Sequence, residues 1–456
     1  MAAAHEHEHS RRPAVRVVDT VLVHPSPPSS ETSLPLTFYD VFWLRTLPVQ
    51  RVFFYRLDAS ADIDVILSSL RDSLSQAISV FFPLAGRLRL APGTTNRYEL
   101  HYRLGDAVAF TVADSNDDLD NLAADEPREA AKLAALAPPL PEGGAVLALQ
   151  ATTLNARGCI ALGVTAHHAA CDGAGSTHFL RTWAAFCAGV QPSPEPVMDR
   201  TLISDPTGLY DFICPKDEEV NKSLKILPVD EQLLFGTFVL SRAHLQRVKD
   251  LAAASHHGSP RCSSLVATLG LVWSCHQRAT NKPGGSSGKT KTCLAFPVDH
   301  RSRLSPPVPD TYLGNCIGGA IAIASRAELA AAGAGGLLTA CAAVAAAVEE
   351  ATRDLQVLGA CELWRERVVE AAGMSVLSVA GSPRFGMYGL DFGFGRPAKV
   401  DIVSVARIGG AVAVAESRVG DGGMEVGLAL PPDGMDAFRR CFDDAVAGLD
   451  VDAGPQ

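Results

Sequence analysis

No single hydrophobic core is expected to hold this chain. It has 456 residues, whereas single cores stop growing at about 250–300 residues and domains usually contain roughly 100–200. Two domains are therefore expected, an N-terminal one at 1–195 and a C-terminal one at 229–456. The linker between them, residues 196–228, follows a proline-rich run and contains a charged stretch. With 47% apolar and 20% charged residues, the chain has the composition of a packed globular protein.

The charge and the cysteines narrow the class of protein. A formal net charge of -10 argues against a nucleic-acid binder, which needs a basic surface to neutralise phosphates. The 11 cysteines are an odd number without a C-x-x-C pair, as expected of reduced thiols in a cytoplasmic protein. Residues 1–12 lack the apolar stretch of a secretory signal. No pattern suggests an oligomer, so a monomer is expected.

Local patterns in the first half predict one helix and one hairpin clearly. Apolar residues recur at helical spacing over residues 63–81, which indicates an amphipathic helix. Strand-like runs at 145–153 and 159–165 flank a turn sequence, as in a β-hairpin. The second run leads directly to a pair of histidines, and a helical pattern begins after Gly173.

The second half mixes the same elements without regular alternation. An uncharged stretch at 329–348 is about long enough to span a bilayer, but it is mostly Ala and Gly. We interpret it as a buried helix that is interrupted near Gly333, Gly335 and Gly336, and not as a membrane segment. The short strands and helices predict an α+β fold of mixed sheets covered by helices. Helices are predicted at 242–254, 264–277 and 326–357, and strands at 292–298, 400–405 and 412–416.

The densest local signal is the segment 165–173, which ends the hairpin. It places His168 at the end of a strand and Asp172 four residues later. An imidazole accepts a proton near neutral pH, and a nearby carboxylate is able to fix a turn. The small residues Ala169, Ala170 and Gly173 leave room for a substrate. From this spacing alone, catalysis and a chance pattern both remain open.

A metal site is the alternative for His167, His168 and Asp172. Neighbouring residues of a strand point to opposite faces, so the two histidines are not expected to bind one ion. His167 is instead expected to face the core, and no metal is predicted. Two further motifs are set aside because both lie in a polar loop: residues 284–288 match G-x-S-x-G without the strand-to-helix turn that this motif requires, and residues 288–290 resemble the end of a phosphate loop without its first glycine.

A second dense signal is the segment 391–395, which reads DFGFG. Two glycines between aromatic residues indicate a tightly turned backbone beneath bulky rings. We therefore predict a structural role for Asp391 and Gly393.

Together, the two segments resemble the hallmarks of the plant BAHD acyltransferases, H-x-x-x-D-G and D-F-G-W-G, in the family's order and at its separation of about half the chain. The family's segments are also resembled at 34–40, 82–88, 298–304 and 312–316. Within the family, residues 379–385 and 415–418 are similar to the branch that acylates anthocyanins and other phenolic glucosides. Malonyl-CoA is the best-known donor of that branch, and hydroxycinnamoyl donors also occur.

This resemblance implies two domains of similar fold, like chloramphenicol acetyltransferase, with an active-site channel between them. It implies His168 as general base, a coenzyme A thioester as co-substrate and no permanently bound cofactor. Asp172, next to Gly173, is expected to point away from the substrate and to pair with Arg301. Cys171 lies inside the motif, but direct transfer without an acyl-enzyme is expected.

The resemblance also suggests where the substrates bind. Coenzyme A contacts are expected first from Arg384, Ser382 and Phe385, and second from Arg261 and Ser264. The acceptor pocket is expected to include Thr37, Phe38 and Phe394. Two departures from the family stand out: Phe394 replaces the hallmark tryptophan, and Leu313 replaces the phenylalanine of Y-F-G-N-C.

The predicted function is acyl transfer from an acyl-CoA, with malonyl-CoA favoured, to a hydroxyl of a phenolic or flavonoid glucoside. One alternative is a hydroxycinnamoyl-CoA-dependent acyltransferase that acts on another alcohol or an amine. A second alternative is a non-catalytic protein of the same fold that binds a small molecule.

Overall fold

The computed structural model describes residues 15–154, 158–215, 229–255, 261–280, 290–353, 360–371 and 373–451. The strands are β1 Arg16–Val23, β2 Thr32–Pro35, β3 Val49–Arg56, β4 Arg87–Leu90, β5 Tyr98–Tyr102, β6 Val108–Ser115, β7 Arg128–Glu129, β8 Leu147–Leu154, β9 Cys159–Ala166, β10 Leu234–Leu240, β11 Lys291–Asp299, β12 Ile317–Ser325, β13 Ser375–Ala380, β14 Lys399–Ile402, β15 Ala411–Glu416 and β16 Met424–Leu430. The helices are α1 Phe38–Val41, α2 Ile63–Val80, α3 Leu119–Leu122, α4 Ala130–Ala135, α5 Gly173–Cys187, α6 Leu209–Ile213, α7 Arg242–Ser255, α8 Ser264–Thr280, α9 Arg326–Leu329, α10 Ala334–Thr352, α11 Ala360–Ala371 and α12 Pro432–Val451.

Two mixed sheets form the centre of the molecule. The first has the strand order β1-β6-β8-β9-β3-β14, and the second has the order β12-β11-β13-β15-β16-β10-β7. A small third sheet, β2-β5-β4, lies beside them. The α+β fold class is therefore confirmed. Each large sheet also includes one strand from the other half of the chain: β14 pairs with β3, and β7 pairs with β10.

Helix α2 shows how the local pattern becomes packing. Asp62 caps its N-terminus by accepting hydrogen bonds from the next residues' amides, which satisfies donors that a helix leaves free. Its apolar stripe, including Leu70, Leu74 and Ile78, is fully buried in the core of the first half. The predicted helix is confirmed, and a 3-10 turn at Phe82–Ala85 follows it.

The second half has its own core between its sheet and helices α7, α8, α10 and α12. Within the described residues one helix, α10, is long and apolar enough to cross a membrane by length and composition. In the structure α10 packs against α8 and buries Leu337, Ala340 and Val344 in this core.

Two predicted elements differ from the structure. The helix predicted from 326 to 357 is two helices, α9 and α10, and the break lies at the interruption predicted near Gly333, which has φ 67°, a conformation that favours glycine. The strand predicted at 400–405 ends at Ile402 and continues as a 3-10 helix to Arg407. Residues 354–357 and the polar loop with both set-aside motifs, 284–289, lie outside the described residues.

Candidate active site

The hairpin of β8 and β9 delivers His168 to the site. Strand β9 pairs with β8 on one side and with β3 on the other, and it ends at Ala166. The amide of His167 still donates to Val146 O at 2.8 Å, and Ala170 N then donates to His167 O at 3.0 Å. The chain therefore leaves the sheet in a tight turn. We call residues 167–172 the His168 turn.

The imidazole of His168 is held on one face and at one edge. Its ring stacks on the indole of Trp43, with centroids 4.0 Å apart and planes 17° apart. Its Nδ1 lies 3.1 Å from Oδ1 of Asn315, a residue of the second half of the chain. The two contacts fix both the plane of the ring and its rotation within that plane.

The hydrogen bonds of Asn315 determine the tautomer of His168. Its Nδ2 donates to Asp40 Oδ1 at 2.9 Å and to the carbonyl of His168 at 2.9 Å. Both partners only accept, so the amide oxygen is the atom that faces the imidazole. Nδ1 of His168 must then carry the proton, and Nε2 is left with a free lone pair. This is the arrangement that a general base requires.

Asp40 anchors Asn315 from beneath. It is completely buried, and its Oδ1 also accepts from the backbone amide of Asn315 at 2.8 Å. Its Oδ2 accepts from the amide and the hydroxyl of Thr37, both at 2.8 Å, and lies 3.9 Å from NH1 of Arg200. A buried carboxylate with so many donors is a rigid support. The hydroxyl proton of Thr37 is therefore used in the hydrogen bond to Asp40.

Burial lowers the pKa of His168 below its ordinary value, while the Asp172 charge and the Asn315 hydrogen bond oppose this shift and the charge of Arg51 adds to it. The imidazole is thus neutral at pH 7. Its neighbour His167 has its pKa lowered to about 4 by burial and by His168, and its Nδ1 accepts from Ala169 N at 3.2 Å.

The thiol of Cys171 is unreactive in this environment. Its side chain is buried, and burial, together with the Asp172 charge, raises the pKa of the thiol to about 12. Only a thiolate is a strong nucleophile. The protonated thiol is therefore poorly suited to attack a thioester.

Asp172 links the His168 turn to the second half of the chain. Its carboxylate forms a bidentate ion pair with Arg301, at 2.8 and 3.0 Å, and both side chains are almost fully buried. It also caps α5 by accepting from Gly175 N and accepts from Cys316 N, both at 3.0 Å. Burial alone would lower the pKa of Arg301, but Asp172 raises it above its ordinary value. With these bonds made, the carboxylate holds the turn and does not contact the imidazole.

The ring of Phe385 packs directly on Gly173. A side-chain carbon at Gly173 would lie 2.1 Å from that ring, so any larger residue there would require Phe385 to move. Gly173 thereby lets a loop of the second half approach the start of α5.

The segment 391–395, which we call the DFGFG loop, is a self-contained turn. Oδ1 of Asp391 accepts from the amides of Gly393 and Gly395 at 2.8 and 3.0 Å. Both glycines have positive φ, 94° and 107°, which other residues rarely adopt. The loop is therefore shaped by its own backbone bonds.

The DFGFG loop lies at the far end of α5 from His168. A side-chain carbon at Gly393 would approach Ala188 Cα to 3.3 Å, immediately after α5, whereas His168 precedes that helix. A helix of 15 residues is about 22 Å long. Phe394 packs there on Tyr55 and Phe392. Because that position is about one helix length from His168, we leave Phe394 out of the acceptor pocket.

The residues expected to contact coenzyme A lie in two places. Ser382 and Phe385 line a cavity between the two halves, and Arg384 is exposed beside them, with its amide donating to Ser382 Oγ at 3.2 Å. Arg261 is exposed just before α8 and Ser264 begins that helix; neither lines this cavity.

Sequence reasoning overlooked Asn315, Asp40 and Arg51. Asn315 and Asp40 lie in quoted family segments, but no role was assigned to them. A signal existed for two of these residues: Asp40 is a single acid in an apolar aromatic run, and Arg51 is a cation directly before the apolar run of Val, Phe and Tyr in β3. A charge in such a position must find a partner when it is buried. Among the described residues, no group of three or more His, Cys, Asp or Glu side chains is placed to hold a metal ion.

Comparison with known proteins identifies the family. A model of the Transferase family matches residues 14–445. The chain belongs to this family, the BAHD acyltransferases that the two hallmarks resemble. It is an acyl-CoA-dependent O-acyltransferase, and a coenzyme A thioester is its co-substrate.

Several characterised relatives match nearly the whole chain. A malonyl-CoA:anthocyanidin 5-O-glucoside-6''-O-malonyltransferase of Arabidopsis thaliana is 37% identical over 94% of this chain and 98% of its own. Phenolic glucoside malonyltransferase 1 of the same plant is 36% identical over 93% and 96%. A coumaroyl-CoA:anthocyanidin 3-O-glucoside-6''-O-coumaroyltransferase of that plant is 30% identical over 91% and 94%.

Solved structures share the fold. Vinorine synthase superposes with a TM-score of 0.72 at 21% identity, over 93% of this chain and 96% of its own. The F. graminearum protein TRI101, solved with coenzyme A and T-2 mycotoxin, gives a TM-score of 0.66 at 16% identity over 90% and 97%.

Proposed function

We propose that this enzyme transfers a malonyl group from malonyl-CoA to a glucose hydroxyl of a phenolic or flavonoid glucoside, with His168 as general base. The observation that carries the proposal is the fixed imidazole, whose Nδ1 is held by Asn315 so that Nε2 is free to accept a proton. The malonyl donor and the glucoside acceptor are supported by the two malonyltransferases that are 37% and 36% identical to this chain.

The reaction uses one base and a ternary complex. Nε2 of His168 accepts the proton of the acceptor hydroxyl while the hydroxyl oxygen attacks the carbonyl carbon of the thioester. The resulting tetrahedral intermediate collapses as the carbon–sulfur bond breaks, and the imidazolium returns the proton to the coenzyme A sulfur. General-base catalysis of this kind contributes typically ~10²–10⁴-fold. The protonated thiol of Cys171 supports direct transfer without an acyl-enzyme.

The surrounding residues act on His168 and not on the substrate. Asn315 and Asp40 hold the tautomer, Trp43 holds the ring plane, and Asp172 with Arg301 holds the turn. All of these except Trp43 belong to networks that join the two halves of the chain. The donor is then expected to enter from the side of Phe385 and Arg384, and the acceptor from the side of Phe38.

We further propose the two domains at 1–195 and 229–456, a monomer, and a cytoplasmic enzyme. The cysteines that the structure describes are all free, which fits a reducing compartment. The part of the linker that the structure describes begins beside the site, where Val197 N donates to Thr311 O at 3.0 Å.

A donor and acceptor panel tests the proposed function. The purified enzyme is given malonyl-, acetyl- or coumaroyl-CoA with phenolic glucosides or their aglycones, and free thiol and acylated product are measured. Fastest release with malonyl-CoA and a glucoside is expected. A preference for coumaroyl-CoA would favour the alternative represented by the 30% identical coumaroyltransferase. Ligand binding without thiol release for any pair would contradict the proposal.

A further inference from the structure

A buried cation that the mechanism does not use lies beside the site. Arg51 is the third residue of β3, and only 6% of it is exposed. The strand residues that follow it, Val52, Phe53 and Phe54, belong to the hydrophobic cores. Burying a charge is costly unless a partner compensates it, so the contacts of Arg51 decide its role.

Arg51 has few such contacts. Its NH1 donates to Ser176 Oγ at 3.1 Å, and its guanidinium carbon lies 5.6 Å from the centre of the Phe385 ring. Its Nε is buried and has no hydrogen-bond partner among the described residues. Within that same part of the chain no carboxylate forms an ion pair with it. Burial lowers the pKa of Arg51, which is the mark of a cation that is not fully compensated.

The other buried arginines near the junction of the two halves are paired. Arg301 has Asp172 at 2.8 Å, Arg128 has Asp401 at 2.7 Å, and Arg200 lies 3.9 Å from Asp40. Arg51 differs from all three. A guanidinium offers five N–H donors in a planar fork that fits a carboxylate. Arg51 is therefore able to pair with a carboxylate without losing an ion pair with a described residue.

The strand register places Arg51 close to the end of β9 that leads to His168. Arg51 lies opposite Val164 in the antiparallel pair of β3 and β9, and Val164 is two residues before the end of β9. Directly opposite residues of an antiparallel pair share a face of the sheet, so Arg51 lies on the Val164 face, near the point where the chain turns to His168. Its charge is one of the causes that lower the pKa of His168.

Arg51 also lines the cavity between the two halves. Ser382, Phe385, Met387 and Ala415 of the second half line the same cavity, and two of these were expected to contact coenzyme A. Phe385 closes over Gly173 at the start of α5. The guanidinium thus lies on the side from which we expect the donor to enter.

Two acids line the cavity together with Arg51, but Asp401 is paired with Arg128 and Glu425 with Arg418. A further acid, Glu416, lies close to Arg51. Glu416 uses its Oε1 to accept from Tyr388 N at 3.1 Å, and its Oε2 is buried without a partner among the described residues. It acts on Arg51 through its charge but forms no ion pair with it. Asp172 acts on Arg51 as well, but that carboxylate is already neutralised by Arg301. Glu416 is therefore the competing explanation for Arg51.

We infer that Arg51 binds the free carboxylate of a dicarboxylic acyl donor, and so selects malonyl-CoA against acyl-CoAs that lack this group. The inference rests on the proposed malonyl transfer, and it names the residue that recognises the donor. A charge-assisted, bidentate contact at a site that excludes water provides both affinity and orientation of the thioester. Ser176 then orients the guanidinium through the bond to NH1.

The test compares two donors that differ by the carboxylate. Steady-state kcat/KM is measured with malonyl-CoA and with acetyl-CoA for the wild type, Arg51→Met and Arg51→Lys. Arg51→Met keeps the chain length and removes the charge, so the malonyl-to-acetyl ratio is expected to fall by about a hundredfold, as for a site that loses a charged hydrogen-bond partner. Arg51→Lys keeps the charge but lacks the planar guanidinium, so its malonyl-to-acetyl ratio is expected to lie between those of the wild type and Arg51→Met.

Binding provides a second readout that does not depend on turnover. In the His168→Ala background, calorimetry is expected to show tighter binding of malonyl-CoA than of acetyl-CoA, and Arg51→Met is expected to remove this preference. Glu416→Gln is the matched control, because it neutralises the competing acid and is expected to keep the malonyl preference. If Arg51→Met does not fold, the malonyl-to-acetyl ratio of kcat/KM is compared between the wild type and Arg51→Lys instead.

The outcomes are distinguishable. Parallel losses of kcat/KM with both donors in Arg51→Met, together with the same parallel losses in Glu416→Gln, would show that Arg51 is a structural partner of Glu416 and would overturn the inference. A wild type that prefers malonyl-CoA, with a ratio that Arg51→Met leaves unchanged, would also overturn it while the proposed function stands. A wild type that transfers no acyl group from any donor would sink the proposed function itself.

Discussion

The two ends of α5 carry the two hallmark segments, and they are built differently. At the N-terminal end, the His168 turn is polar and buried, and its decisive bonds reach across to Asn315 and Arg301 of the second half. At the C-terminal end, the DFGFG loop makes its hydrogen bonds within itself and contributes only aromatic rings to the core around Tyr55 and Trp183.

This difference suggests different roles: the His168 turn positions the proposed base, and the DFGFG loop stabilises the packing of the two halves. A base works only in a defined tautomer and position, and the polar network of the His168 turn supplies both. An aromatic loop needs only a backbone shape and an apolar surface to pack on, and it fastens the segment before β14 to the first half. Substitutions of His168 and of the residues that orient its ring should therefore change turnover, whereas substitutions in the DFGFG loop should change stability.

The largest effect is expected at His168. His168→Ala removes the nitrogen that we propose accepts the acceptor's proton, so kcat should fall by at least about a hundredfold. Thiol release measures this, and the melting temperature should stay close to that of the parent. Cys171→Ser is the matched control within the motif and should keep most of the activity. Near-normal turnover in His168→Ala would remove the proposed base.

Breaking the Asp172–Arg301 pair should have the largest effect on stability. Asp172→Asn or Arg301→Ala leaves one buried charge unpaired, which costs roughly 3–5 kcal/mol. Chemical denaturation of both single variants and the double variant forms a thermodynamic cycle, and the double variant should be clearly less than additive. An Asp172→Asn protein that unfolds like the parent but has lost its turnover would instead assign Asp172 to the chemistry.

An intermediate effect on turnover is expected at Asn315. Asn315→Ala removes the acceptor that keeps the proton on Nδ1 of His168, so the ring can rotate and adopt the wrong tautomer. We expect kcat to fall by about tenfold or more, with smaller changes in KM, since an orienting partner acts through the base. The protein should remain folded by circular dichroism. An unchanged kcat would show that Trp43 alone holds the ring.

The pH dependence follows from the lowered pKa of His168. The neutral imidazole is the active form, and burial lowers its pKa. Activity should therefore persist below the ordinary histidine pKa of about 6.5 and decline only at lower pH. The acid limb of kcat/KM against pH measures this, and a midpoint above about 6.5 would contradict the assigned environment.

The smallest effect on turnover is expected in the DFGFG loop. Asp391→Ala removes the acceptor of two backbone amides and should lower the free energy of unfolding by about 1–2 kcal/mol. The kcat of the folded protein should stay within about twofold, because the loop is about a helix length from His168. Phe394→Trp, which restores the family's hallmark, is a second variant at the same distance from His168, and its kcat should change equally little. A large loss of kcat in either variant would place the loop in the site.

Several elements were predictable because their signals are local. The apolar period of α2, the hairpin of β8 and β9, and the glycine-rich DFGFG turn are each written in about 20 neighbouring residues or fewer, where helix period, alternation and glycine conformation act directly. The two hallmark segments were enough to identify the family, and with it the α+β fold and the dependence on acyl-CoA.

Other features were decided only by the tertiary structure. No local pattern shows that β14 joins the first sheet and β7 the second, because strand pairing depends on contacts between distant residues. The same reason applies to the site: Asn315 and Asp40 are 275 positions apart, and only the fold brings them together behind His168. The sequence by itself singled out the imidazole of His168, because its motif and the end of its strand are local features. The tautomer of His168 and the lack of an ion pair for Arg51 among the described residues depend on distant residues, which only the tertiary structure brings close or keeps apart.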